Sequence, residues 1–157
     1  MKIREERAPQ NSIPPDGTLL TGRRVDPNAE IRTDGAPRGT GAYSQAVRAG
    51  DFVFISGQGP LDPGTLQVQG DTIEEQTEHT LRNLAAVAAA AGGSLADVVK
   101  VSVFLSSIEL FPAFNATYER IFATEPRPAR TTAGAELRDI MVEIDAVLYL
   151  PNGLPNG

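Results

Sequence analysis

The chain has 157 residues, a length typical of one domain, and 41% of them are hydrophobic, which is enough for a buried core. Its formal net charge of −6 and its lack of tryptophan disfavour a nucleic-acid ligand, because the average surface repels phosphate and offers little for base stacking. Cysteine is absent and His79 is the only histidine, which excludes thiolate catalysis, thiolate metal sites and histidine-rich zinc sites.

Residues 1–38 contain five prolines, charges of both signs and no apolar periodicity. They predict an N-terminal extension, either mobile or laid as an arm on a neighbouring subunit. A folded domain over residues 39–151 and a short tail over 152–157 would follow. No apolar run approaches the roughly 20 residues that cross a bilayer, and the charged N-terminus is unlike a secretory signal, so we expect a cytoplasmic protein.

The folded part opens with a predicted β-hairpin. Residues 44–49 and 52–56 are strand-like and are separated by a glycine-containing turn. Gly57 ends the second strand, where the lack of a side chain lets a ligand approach the backbone. The polar residues Tyr43 and Ser56 flank the two arms, so this end of the hairpin is a candidate binding surface, although an ordinary strand-end turn has the same pattern.

Helical periodicity marks two later segments. Hydrophobic residues three and four apart predict a helix over residues 72–91, with Asp71 as its N-cap and Glu74 completing a capping box. An alternating strand over 99–105 and a second helix over about 110–123 follow.

Two strands, residues 130–137 and 141–150, are predicted to close the sheet as a hairpin. Alternation divides each strand into two faces, and we expect the more apolar set of each to face the helices. By that criterion Arg130, Thr132 and Glu143 emerge together on the uncovered face.

The order of elements predicts an α+β fold, with one mixed β-sheet and two helices on a single face. Helices on one side leave the other sheet face to meet water or another subunit. Oligomerisation is therefore expected.

Arg130 and Glu143 are the strongest functional candidates. A guanidinium and a carboxylate on neighbouring strands are costly unless they meet each other, solvent or a ligand. Arg130 could hold a substrate carboxylate with its planar fork, and Glu143 could handle a proton or a water. A structural ion pair would explain the same two residues, but the nearby hydroxyl of Thr132 and the polar hairpin end favour a small anionic substrate.

Five segments carry a family resemblance. They are 41–47 (Gly-Ala-Tyr-Ser-Gln-Ala-Val), 54–58 (Phe-Ile-Ser-Gly-Gln), 115–118 (Asn-Ala-Thr-Tyr), 128–132 (Pro-Ala-Arg-Thr-Thr) and 142–146 (Val-Glu-Ile-Asp-Ala). In order and spacing they resemble the reactive intermediate deaminase family (RidA, or YjgF-like) over about residues 38–151. The resemblance implies a chorismate-mutase-like fold, assembled as a homotrimer around a barrel of sheets, with ligand pockets between neighbouring subunits.

The resemblance also implies enamine or imine hydrolysis without a metal or an organic cofactor. By the same resemblance, Arg130 matches the arginine that binds the substrate carboxylate, and Glu143 matches the carboxylate that orients the hydrolytic water. The positions that match the pocket lining are Tyr43, Ser56, Gly57, Asn115 and Thr132, the last standing where the best-studied branch has a cysteine.

The expected function is hydrolysis of a carboxylate-bearing enamine or imine, similar to 2-aminoacrylate, to a 2-oxo acid and ammonia. One alternative is a catabolic deaminase of a larger enamine such as 2-aminomuconate, which the small Gly134 would suit. A second is a non-catalytic trimer that binds 2-oxo acids. A nuclease or translational inhibitor, a role attached to this family, is disfavoured because residues 39–157 hold seven basic and fourteen acidic side chains.

Overall fold

The computed structural model describes Asp26 and residues 29–151. Within this part the strands are β1 (Glu30–Ile31), β2 (Ala46–Ala49), β3 (Phe52–Gln58), β4 (Val98–Leu105), β5 (Ala129–Gly134) and β6 (Val142–Tyr149). The helices are α1 (Ile73–Ala90) and α2 (Phe111–Ile121), and short 3₁₀ turns precede β4 and α2. None of the helices described is long and apolar enough to cross a membrane.

The strands form one sheet in the order β1-β2-β3-β6-β4-β5. β4 runs parallel to β5, and the other neighbours are antiparallel. The predicted hairpin of β2 and β3 is confirmed. With both helices on one face of a mixed sheet, the predicted α+β class is confirmed as well.

The predicted closing hairpin is wrong, because β4 lies between β5 and β6. β4 is a nearly continuous apolar strand whose Val101, Val103 and Leu105 are fully or almost fully buried. Such a strand favours the middle of a sheet. β5 consists of small and polar residues around Arg130, a composition that fits an edge.

Helix α1 begins one residue later than predicted. Thr72, rather than Asp71, is the N-cap: its hydroxyl accepts a hydrogen bond from the Glu75 backbone, and the Glu75 carboxylate accepts one from the Thr72 backbone. This reciprocal capping box satisfies two N–H groups that the first turn leaves free. A glutamate at position 75 completes the box for Thr72, as Glu74 would have done for Asp71.

The hydrophobic core lies between the two helices and one face of the sheet. The buried stripe of α1 includes the residues whose spacing predicted the helix, Ile73, Thr77, Leu81, Leu84 and Ala88, with Ala91 at its C-cap. The opposite sheet face keeps large side chains exposed, namely Phe52, Phe54, Val99 and Tyr149.

The sheet takes in part of the segment that composition assigns to the extension. β1 pairs with β2, and Ile31 and Ala36 are buried. The Gln45 side chain holds this segment: its amide nitrogen donates to the carbonyls of Thr33, Ala36 and Pro37, and its oxygen accepts from the Thr33 backbone. Residues 1–25, 27 and 28 of the predicted extension, and the predicted tail 152–157, lie outside the described residues.

Candidate active site

The candidate residues fall into two groups on opposite faces of the sheet. Arg130 and Thr132 are paired in register with buried valines of β4, so they point toward the helices. Glu143 is paired with Phe104, which alternates with those valines and points to the open face. The expectation that Arg130, Thr132 and Glu143 emerge together is therefore wrong for a single chain.

The physical reason lies in β5. Its two faces carry similar side chains, Arg130, Thr132 and Gly134 on one and Thr131 and Ala133 on the other. Alternation alone could not identify the buried face of such a strand. The pairing with β4 decides it, and places Arg130 against α2.

The guanidinium of Arg130 lies over three aromatic rings of α2. Its central carbon is 4.6 Å from the ring centroid of Tyr118, 5.5 Å from that of Phe111 and 5.8 Å from that of Phe114. Among the residues that the structure describes, no ion pair or hydrogen bond involves the side chain of Arg130. Its charge and its N–H groups therefore remain available for a ligand.

Three buried polar atoms accompany this guanidinium without a hydrogen-bond partner among the described residues. They are Asn115 Oδ1, the Tyr118 hydroxyl and Thr132 Oγ1. Buried polar groups are normally satisfied, and each one left unpaired costs free energy. Together with Arg130 they indicate a place where a polar ligand, a water or a partner chain completes the bonding.

Tyr118 was not among the sequence candidates. Burial raises the pKa of its phenol, and the positive charge of Arg130 opposes that rise. Its sequence signals are its place in the family-like segment 115–118 and its position three residues after Asn115, which puts both on the same side of α2. A groove of about 610 Å³ adjoins the group at Thr132 and is also lined by Ile108, Glu109, Phe111 and Pro112. None of these four residues was a candidate from the sequence.

The second group centres on Glu143 and Gly57. Gly57 faces the Glu143 side chain so closely that an added Cβ would lie 2.7 Å from Oε1. A register shift in β3 between Ile55 and Gln58 accompanies this contact. Burial, and then the neighbouring carboxylate of Asp145, raise the pKa of Glu143 above its usual value. No hydrogen bond or ion pair to a described residue ties the carboxylate down.

Tyr43 and Ser56 line a recess of about 520 Å³ near this group. The Tyr43 ring is 55% exposed and packs on Gly39 and Gly41, where an added Cβ would contact it. The Ser56 hydroxyl donates a hydrogen bond of 2.7 Å to the Ser44 carbonyl, which links β3 to the residues before β2. Its proton is therefore used, and the hydroxyl can only accept a hydrogen bond from a ligand.

No cluster of three or more histidine, aspartate or glutamate side chains able to hold a metal ion occurs among the residues described. The two groups, on opposite faces of the sheet, together offer one unpaired cation, one carboxylate with a raised pKa, and hydroxyl and amide groups. That set can bind a small carboxylate and move a proton.

A family model described as Endoribonuclease L-PSP matches residues 33–150. The chain belongs to this family, the reactive intermediate deaminase or RidA/YjgF-like family, and the predicted membership is confirmed.

Relatives of known name are similar over most of the described chain. A RutC family protein of Pyrococcus horikoshii is 41% identical over 121 residues, which cover 76% of this chain and 95% of that protein. A protein of Dermatophagoides farinae named 2-iminobutanoate/2-iminopropanoate deaminase is 36% identical over 128 residues, or 80% and 99% of the two chains. The crystal structure of RidA from an Antarctic Psychrobacter is 39% identical, with a TM-score of 0.72 and coverage of 76% and 98%.

Proposed function

We propose that the protein is a cofactor-independent deaminase that hydrolyses a carboxylate-bearing enamine or imine to a 2-oxo acid and ammonia. The observation that carries the proposal is the Arg130 guanidinium, which no described acidic group neutralises and which has unpaired polar atoms around it. The naming of one relative as an imine deaminase supports the same reaction class.

The substrate carboxylate binds Arg130 in a bidentate pair, which suits the planar fork of a guanidinium. Thr132 and Asn115 then find partners in the rest of the ligand. Their buried oxygens can accept from a nitrogen that carries hydrogen, the group that distinguishes an imine or enamine from its 2-oxo product.

The complete site requires two protomers. One contributes Arg130, Asn115 and Thr132, and its neighbour contributes Glu143 and Gly57 from its open face, with Tyr43 and Ser56 beside them. The exposed Phe52, Phe54, Val99 and Tyr149 support association, since large apolar side chains left exposed favour burial against another subunit. A homotrimer with a site at each interface satisfies both requirements.

Hydrolysis then proceeds by acid–base steps. Glu143 accepts a proton from a water as the water oxygen attacks the imine carbon, and passes that proton to the nitrogen, so that C=NH becomes C(OH)–NH₂. Glu143 then takes the hydroxyl proton and passes it to the same nitrogen, the C–N bond breaks, the C=O bond forms and ammonia leaves. An enamine enters the same route after protonation at carbon. Positioned proton transfer of this kind supplies about 10²–10⁴-fold in rate.

The direct test is release of ammonia and a 2-oxo acid from 2-iminobutanoate, generated in place by an amino-acid oxidase. Arg130→Ala should remove the accelerated release, while the subunit assembly persists. Arg82→Ala is the matched control, because that arginine is exposed on α1 and should leave the rate unchanged. Full activity of Arg130→Ala would overturn the assignment.

A larger substrate is favoured by one further observation. Gly134 lies on the same face of β5 as Arg130 and Thr132, and a Cβ there would have no neighbour closer than 3.9 Å. These are ordinary contacts, so the glycine leaves unfilled the space that a side chain would take beyond Thr132, which a larger substrate can use. Relative rates with 2-iminobutanoate and with 2-aminomuconate separate a general from a dedicated deaminase.

RNA cleavage, which the description of the family model suggests, has little support in the charge distribution. The excess of acidic side chains after residue 38 disfavours a phosphate backbone. If cleavage of a test RNA were abolished by Arg130→Ala, the deaminase assignment of that residue would need revision.

A further inference from the structure

Arg130 is held by aromatic rings and by no described acidic group. We propose that Tyr118 is a positioning residue of the carboxylate site: its ring face, helped by those of Phe111 and Phe114, holds the guanidinium in place of a counter-ion. This inference rests on the proposed function, since it concerns the same arginine, but it is tested by ligand binding without turnover.

The geometry singles out Tyr118 among the three rings. It is the nearest to the guanidinium, at 4.6 Å, and it is only 3% exposed. Its ring is fixed between those of Phe114 and Phe122, with centroid distances of 5.6 and 4.7 Å. These contacts hold the Tyr118 ring in its orientation beneath the guanidinium.

An aromatic support has a consequence that a carboxylate support would not have. A paired aspartate or glutamate would neutralise Arg130 and occupy two of its N–H groups, in direct competition with a substrate carboxylate. A ring attracts the cation through its quadrupole, makes contact with its flat face and leaves the N–H groups at its edge free. On the side that they cover, the rings put apolar surface beside the half-buried guanidinium, which strengthens the attraction between Arg130 and an incoming anion.

The hydroxyl of Tyr118 is not needed for this role. A phenylalanine at position 118 would present nearly the same ring face, whereas a leucine would fill much of the volume without a quadrupole. The pair Tyr118→Phe and Tyr118→Leu therefore separates the ring from the hydroxyl.

The test measures binding of 2-oxobutanoate by calorimetry to the full-length protein. Tyr118→Leu should raise Kd by about 3- to 30-fold, the range expected for loss of a partly buried cation–π contact. Tyr118→Phe should stay within about 3-fold of the unmodified protein. Val87→Ala is the control, because it removes buried core volume from α1 and none of the rings around Arg130 or Tyr118, and it should also leave Kd within about 3-fold.

A purely structural role for Tyr118 is excluded by a second readout. The Arg130 Nε–H resonance, identified by its loss in Arg130→Lys, should be sharp in the unmodified protein and in Tyr118→Phe, and broadened or shifted in Tyr118→Leu. In steady-state kinetics Tyr118→Leu should raise KM for an imino acid while kcat changes little, as expected when ground-state and transition-state binding are lost equally.

The outcomes separate this inference from the reaction itself. If the protein binds 2-oxobutanoate with the predicted Tyr118 dependence but deaminates nothing, the proposed function fails and this inference stands. If Tyr118→Leu binds as tightly as the unmodified protein, or if Tyr118→Phe loses as much affinity as Tyr118→Leu, the ring does not support the guanidinium. Absence of any binding by the unmodified protein would overturn the carboxylate site and this inference with it.

Discussion

Arg130 and Glu143 point to opposite faces of one sheet, although a single strand separates β5 from β6. That strand is β4, where Val101 pairs with Arg130 and Phe104 pairs with Glu143. Residues three apart on a strand point to opposite sides, so the two functional groups do as well. A ligand that touches both must lie where one protomer presents its helix side to the open face of another.

This arrangement predicts complementation between two inactive variants. Arg130→Ala and Glu143→Gln should each lose deaminase activity alone, and their mixture should regain about a quarter of the unmodified activity after subunit exchange. The fraction follows from random assortment in a symmetric oligomer, in which about one interface in four combines an intact Arg130 side with an intact Glu143 side.

The measurement is ammonia release before and after exchange, with mass spectrometry to confirm mixed oligomers. Each variant exchanged with itself provides the baseline. A mixture that stays inactive, although mixed oligomers are present, would place Arg130 and Glu143 in separate sites.

Gly57 sets the position of the Glu143 carboxylate. In Gly57→Ala the new Cβ would lie 2.7 Å from Oε1 and 2.8 Å from Cδ, so the carboxylate must move. The glutamate is flexible and can shift at little cost in stability, but a displacement near 1 Å costs about 10²-fold in a positioned reaction. We expect kcat to fall by about that factor, with little change in the melting temperature.

Gly64→Ala is the matched control for this substitution. The added Cβ there would lie 3.4 Å from the Asp62 carboxylate, an ordinary contact, in a loop apart from either group of candidate residues. Normal turnover in both alanine variants would show that the Glu143 position is not critical.

The pH dependence of turnover should report Glu143. As a base it works ionised, so kcat/KM should rise as pH increases through its pKa, which lies above the usual value because of burial and then Asp145. Asp145→Asn removes the neighbouring like charge, which lowers the pKa of Glu143. The acid limb of the profile should therefore move to lower pH.

The size of that movement is limited, because burial is the larger cause and remains in the variant. Glu143→Gln should abolish the limb together with most of the activity. A profile that Asp145→Asn leaves in place, or moves to higher pH, would assign the limb to another group.

The sequence predicted the class, both helices and strands β2 to β6, but neither β1 nor the strand order. The apolar spacing of α1 and the glycine turn between β2 and β3 are local signals, and both predictions agree with the structure. β4 and β5 pair in parallel and are connected through α2, so no short turn in the sequence indicates that they are neighbours. Because β5 has no clearly apolar face, its orientation depends on that pairing alone.

The same limit applies to the candidate site. Arg130 and Glu143 stand out in the sequence because a charged side chain in a buried strand is costly unless it has a partner or a ligand. Alternation within each strand could not show whether the two side chains point to the same face of the sheet. Tyr118 resembles a core residue in sequence, since an aromatic at helical spacing is usually buried. Its contact with Arg130 is tertiary, and only the packing of α2 against β5 reveals it.

The Gln45 side chain binds the segment before residue 39 to the rest of the domain. It makes four hydrogen bonds to residues 33–37, with lengths of 2.8, 3.0, 3.1 and 3.2 Å. At roughly 1 kcal/mol for each bond, Gln45→Ala should lower the free energy of unfolding by about 2–4 kcal/mol, measured by urea denaturation. Gln69→Ala, which removes contacts only to the nearby Gln67 and Val68 backbone, should change the free energy of unfolding by less than about 0.5 kcal/mol.

A chain that begins at residue 39 should be destabilised at least as much as Gln45→Ala, because it also loses β1 and the buried Ile31 and Ala36. Equal stability of that shortened chain and the full chain would show that residues 30–38 are dispensable to the domain.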